Sequence, residues 1–260
     1  MKKALLSLTL LVLCCSSTFA QIGKNWTEVT KREEGRFKIQ LENFKKPSGD
    51  NTPFSWPRAT AFADKDGKEL PTLSADVTTH YHWNPALNTH TFTLVKFPGN
   101  RSEIRIHDNY RTGSRQFEGY ITMNDKLDKQ AVFQLFGSSE GATQMQIRGF
   151  GNRKGGSLEV TFDTKMPSSG NKVIAADINN KEVRINVIHL QEDVGDAVIV
   201  YVDGVEKFRF KDGETLKDGK EFMNYMKFGV YGREQDGEFD GVTHMQTKWR
   251  NVRLWEGGQP

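Results

Sequence analysis

Apolar and polar positions alternate in short runs along most of the chain, and no stretch sustains the period of an amphipathic helix. The runs are separated by Gly, Asn and Asp, which predicts many short strands joined by turns. The predicted strands are 36–41, 90–97, 102–107, 116–123, 131–136, 143–148, 157–162, 183–190, 197–202, 205–210, 225–231 and 246–255. Asp203-Gly204 between two of them marks a hairpin, because this pair suits a tight turn with positive φ. The Pro-rich, polar stretch 51–71 predicts a long surface loop. No repeat or linker divides the chain. A dozen strands in one domain predict two stacked antiparallel sheets, one of which offers a groove.

Successive side chains on a strand point to opposite faces, so each run can be sorted into a buried and an outward side. Arg101, Glu103, Arg105 and His107 fall on one face, with Ile104 and Ile106 on the other. In 131–136, Val132, Gln134 and Phe136 lie opposite Ala131, Phe133 and Leu135. Gln144, Gln146 and Arg148 oppose Met145 and Ile147, while Tyr225, Lys227 and Tyr231 oppose Met226, Phe228 and Val230. If these strands are neighbours, their polar sides form one surface of Arg, Lys, Gln and Tyr. A solvated outer face would show the same alternation. The aromatic residues, and the scarcity of Asp and Glu among the cations, favour a binding face.

The first residues set the expected compartment. Lys2 and Lys3 precede the apolar run 4–13 and the small-residue stretch 16–20, the pattern of a secretory signal ending at Ala20. The expected mature chain is a single domain, 21–260, that is secreted or periplasmic, has no membrane span and is a monomer. Leu13 ahead of Cys14 is too bulky for lipidation. The chain has 2 cysteines, Cys14 and Cys15, both inside the signal, which excludes disulfides and a thiol nucleophile from the mature domain. Without Lys2 and Lys3, 34 of the 36 basic residues face 33 acidic ones. So balanced a charge gives no argument for nucleic acid, and an anion site must come from local clustering.

Such clustering exists at three motifs. Arg101-Ser-Glu-Ile-Arg105 resembles the R-[ST]-E-[LI]-R signature of polysaccharide lyase family 7, and Tyr225-Met-Lys-Phe-Gly-Val-Tyr231 resembles its Y-F-K-x-G-x-Y motif. Gln134-Leu-Phe136 stands in the place of the family's Q-[IV]-H, and the order along the chain matches. The resemblance implies an all-β, concanavalin-like β-jelly-roll sandwich of two antiparallel sheets with a concave groove. It also implies β-elimination on a uronic-acid polymer, with Arg101 and Gln134 holding the carboxylate and Tyr231 transferring protons. Arg105, Lys227, Glu103, His107, Tyr225, Gln146 and Arg148 would contact the substrate. No cofactor or metal is implied. Phe136 departs from the family, whose catalytic histidine falls at this position. The segments 116–120, 133–137 and 187–189 resemble plant citrate-binding proteins, which also carry phenylalanine there. The alternative is therefore a non-catalytic groove for a small carboxylate or an acidic glycan.

Elimination requires that the uronate carboxylate be neutralised, that a base remove the proton on carbon five, and that an acid protonate the leaving oxygen. A guanidinium suits the first task because it can engage a carboxylate through two hydrogen bonds. A tyrosine, whose ordinary pKa is about 10, needs adjacent cations to act as base, and Arg105 and Lys227 are the expected neighbours. One tyrosine can serve as base and acid only where proton and leaving oxygen share a side of the ring, which favours mannuronate or glucuronate over guluronate. His107, beside Arg105, is the alternative base. His80 and His82 share a strand face but lack a third metal ligand. The segment 236–241 opens like a calcium loop, yet Thr247 stands where the closing glutamate belongs, so a turn is expected.

Overall fold

The computed structural model describes residues 22–30, 40–41, 81–94, 101–106, 109–138, 142–162, 172–191, 193–211, 216–217, 220–221, 223–232 and 244–260. Among them every regular element is a strand: β1 Thr27–Glu28, β2 Gln40–Leu41, β3 Tyr81–Asn84, β4 Thr89–Leu94, β5 Arg101–Arg105 and β6 Ser114–Met123. There follow β7 Asp128–Ser138, β8 Ala142–Phe150, β9 Ser157–Phe162, β10 Lys172–Ala176, β11 Val183–Leu190 and β12 Ala197–Val202. The last five are β13 Val205–Lys211, β14 Leu216–Lys217, β15 Lys220–Glu221, β16 Tyr225–Tyr231 and β17 Met245–Glu256. An eight-stranded sheet runs β13-β12-β11-β6-β17-β4-β3 with β1 on β17, and a seven-stranded sheet runs β10-β9-β8-β7-β16-β5-β2. A small β14-β15 ribbon stands apart. The architecture is an all-β jelly-roll sandwich.

Alternation explains the stacking. Phe117 of β6 and Trp249 of β17 meet Phe133 of β7 and Phe228 of β16, with ring centroids 4.8 Å (Phe117–Phe133) and 6.0 Å (Phe228–Trp249) apart. Each ring is fully buried, and each such side chain contributes roughly 1.5–3 kcal/mol of burial. Gly119 leaves the room that Trp249 needs, since a Cβ there would lie 2.9 Å from the indole. A smaller cluster of Ile188, Leu190, Ala197 and Ile199 packs against Ile22, Trp26 and Tyr201.

The predicted strands 157–162, 183–190, 197–202 and 225–231 match in full, and several others extend by a few residues. Asp203 and Gly204 take φ of 50° and 84°, as the tight hairpin requires. The edge strands β3 and β10 were not predicted, being short and only partly buried. The face of Val132 is corrected: it joins the main core cluster, whereas Ala131, though buried, does not. The β7–β8 register shifts between Ala131 and Phe133, and this bulge turns Val132 inward. The signal segment, the 51–71 loop, the 236–241 segment, His80 and His107 lie outside the described residues. No helix among the described residues is long and apolar enough to cross a membrane.

One titratable side chain sits inside the aromatic core. His90 of β4 is 2% exposed, stacks on Trp83 at 4.3 Å and shares a 3.1 Å hydrogen bond between its Nδ1 and the Tyr81 hydroxyl. Burial lowers its pKa from 6.5 to about 3, so the folded protein holds it neutral. The unfolded chain takes up a proton below about pH 6.5 and the folded chain does not. Stability is therefore full above that pH and falls as pH drops from about 6.5 towards 3. Urea titrations should show about 2 kcal/mol less stability at pH 5 than at pH 7 from this group. His90→Phe should flatten that slope; an unchanged slope would remove His90 as its source.

Candidate functional site

Strands β5, β16, β7 and β8 are consecutive neighbours, so their outward side chains form ordered rows across the sheet. Lys227 lies opposite Arg105 on one side and Gln134 on the other, and Gln134 lies opposite Gln146. A second row runs from Arg101 through Tyr231 and Ala131 to Arg148 and Glu159 of β9. A third pairs Tyr225 with Phe136. Gly229, opposite Glu103, has φ of 144°, and a Cβ there would collide with the Ser102 carbonyl oxygen. Only glycine lets β5 and β16 approach at this point.

The side chains form a directed hydrogen-bond chain. Arg148 donates Nε to Gln146 Oε1 at 2.9 Å, and Gln146 donates Nε2 to Gln134 Oε1 at 2.9 Å. Gln134 in turn donates Nε2 to the Glu103 carboxylate, whose other oxygen lies 3.9 Å from Lys227 Nζ. A cation at one end and a carboxylate at the other orient both amides, so that each presents its N–H side towards Glu103. Glu103, Gln134 and Lys227 are all buried. Gln134 and Lys227 thus converge, and an internal carboxylate already stands where they meet.

Beside this chain, Phe136 stacks on Tyr225 with centroids 4.7 Å apart and planes 6° from parallel. The Arg105 guanidinium, from the strand on the other side of β16, lies 3.9 Å from the same Tyr225 ring and donates Nη2 to Asn109 Oδ1 at 3.2 Å. The Lys227 ammonium is 5.1 Å from the Phe136 ring. Cation–π and stacking contacts therefore surround Phe136, where the motif resemblance implies an imidazole. The expected support of Tyr231 by Arg105 and Lys227 is redistributed. Lys227 is four strand residues from Tyr231, about 13 Å at ~3.3 Å per residue. The cationic residue directly across from Tyr231 in register is Arg101.

The pattern also contained residues not singled out from the sequence. Ser157, Glu159 and Thr161 alternate with the buried Leu158 and Val160, which extends the polar face onto β9. Phe150 ends the outward row of β8, and Arg153 lies 3.5 Å over its ring. Glu159 signals itself by alternation, whereas Arg153 and Lys154 belong to a turn and carry no periodic signal.

No known family profile matches the chain. The fold is that of the alginate lyases. A marine alginate lyase of polysaccharide lyase family 7 from Zobellia galactanivorans superposes with a TM-score of 0.54 at 12% identity, covering 85% of this chain and 95% of that one. An alginate lyase in complex with dimannuronate gives 0.52 at 13% identity, covering 77% and 89%. Among curated proteins, a citrate-binding protein of Hevea brasiliensis is 33% identical over 159 residues, 60% of this chain. The chain spans 56% of that relative's length.

Replacing one member of a buried ion pair leaves the other charge uncompensated. Glu103→Gln should lower stability by roughly 3–5 kcal/mol, and adding Lys227→Met should restore most of it. Chemical denaturation of Glu103→Gln, Lys227→Met and the double variant measures this. Purely additive losses would show that the pair is not coupled.

Proposed function

We propose that this protein is an exported polysaccharide lyase that binds a uronic-acid polymer across the outward face of the seven-stranded sheet and cleaves it by β-elimination. The observation that carries the reading is the register: residues of three motifs separated in sequence fall in adjacent rows, Arg101 opposite Tyr231 and Lys227 between Arg105 and Gln134. In this reading Arg101 and the amide of Gln134 bind the uronate carboxylate and make the proton on carbon five acidic enough to remove. The Tyr231 oxygen takes that proton and returns one to the departing glycosidic oxygen. Both transfers occur on one side of the ring, so the substrate is a mannuronate or glucuronate polymer. Residues 1–20 direct export, and 21–260 form the working domain.

A second reading is supported by Phe136 and by the citrate-binding relative. In it the same face binds small carboxylates or acidic glycans without cleaving them. Incubation with alginate, polymannuronate and glucuronan separates the two, because β-elimination creates an unsaturated uronate that absorbs in the ultraviolet. Product should form on polymannuronate or glucuronan. Tyr231→Phe should then reduce turnover by several orders of magnitude, each proton transfer being worth roughly 10²–10⁴-fold. Arg101→Ala should weaken uronate binding by about 1.5–3 kcal/mol, the range of a hydrogen bond to a charged group. Near-full activity of Tyr231→Phe together with loss of activity in His107→Ala would move the base to His107. Binding without product would establish the second reading.

A further inference from the structure

The row through Tyr231 does not end at Arg148. From β5 to β8 there are three strand spacings, about 14 Å at ~4.8 Å each, which is further than one sugar ring reaches. At its far end Arg148 is held by Gln146 and by the Lys129 carbonyl, to which it donates Nη1 at 3.3 Å. Glu159 stands next in the row and is buried, with Ser157 donating its hydroxyl to Oε1 at 3.3 Å. Arg153 Nη2 lies 3.6 Å from Glu159 Oε2, and Lys154 Nζ lies 4.0 Å from Oε1. Glu159 thus pairs with two turn cations and stands opposite Arg148 in register. It holds the two turn residues at the end of the row while their side chains stay 48% and 52% exposed. Asp128, opposite Phe150, bounds the cluster on the next position.

Two cationic stations on one row, three strand spacings apart, suit a ligand that carries carboxylates at intervals. We propose that Arg148, Arg153 and Lys154 form a second carboxylate subsite, which takes a further uronate of the chain whose reacting residue lies at Arg101 and Tyr231. This rests on the uronate reading of the face and sharpens it: the ligand is an oligomer or polymer, and a single small carboxylate fills only one station. Glu159 acts as a positioning residue that sets the two turn cations in place.

Calorimetry with a mannuronate disaccharide and hexasaccharide tests this, with every protein in a Tyr231→Phe background so that no ligand is consumed. The hexasaccharide should bind more tightly than the disaccharide, and raised salt should shrink the difference. Arg153→Gln with Lys154→Asn, asparagine tolerating the 53° φ of that position, should weaken hexasaccharide binding about tenfold, roughly threefold per half-exposed cation. Disaccharide affinity should stay the same. Equal affinity for both lengths, or equal losses for both in the double variant, overturns the subsite while leaving the proposed function standing. Binding of neither ligand by the Arg153/Lys154-intact protein overturns the proposed function and the subsite with it.

Discussion

A carboxylate buried in the face of a sheet must find charge and hydrogen bonds within reach of its own strand and the next two, and Glu103 does so. Lys227 comes from the adjacent β16, and Gln134 from β7 beyond it. This contact ties together strands remote in sequence, because β5, β7 and β16 become neighbours only when the chain crosses between sheets. It also fixes the direction of the amide chain back to Arg148, since an amide that donates to Glu103 must offer its carbonyl to Gln146. That polarity commits both amide N–H sides within the protein, Gln146 to Gln134 and Gln134 to Glu103.

Beneath the polar rows lies the aromatic core, and the two depend on each other. Phe133 and Phe228 flank Gln134 and Lys227 in sequence and point the other way, against Phe117 and Trp249 of the opposite sheet. Packing of these rings locks the strand register, and a slip of one residue would turn every polar side chain inward. The glycine at position 229 serves the same end, since it allows the β5–β16 approach that sets Glu103 beside Lys227. Stability and the ordering of the polar rows are therefore two sides of the same strands.

Phe136 has a local physical consequence. Tyr225 is held between a ring on one neighbouring strand and a guanidinium on the other, so its faces are occupied within the protein. In register, Tyr231 lies between Arg101 of β5 and Ala131 of β7, with Arg148 beyond Ala131. The two tyrosines of this strand differ in setting: Tyr225 is part of a packed column, and Tyr231 lies in the row that begins at Arg101.

Alternation in the sequence was enough to define most of the longer strands, the Asp203-Gly204 hairpin and the inward and outward sides of β5, β8 and β16, because side-chain direction on a strand is a local property with a period of two. It failed at Val132, where a bulge adds one residue to β7 and reverses the face. The motifs pointed to Arg101, Gln134, Lys227 and Tyr231 as members of one site, but not to how they meet. That Glu103 is the partner of Gln134 and Lys227, that Arg105 stacks on Tyr225, and that Arg153 and Lys154 close the row at Glu159 were decided by tertiary structure alone. Each depends on which strands become neighbours and in what register, and that is set by packing between two sheets and not by any local run of residues.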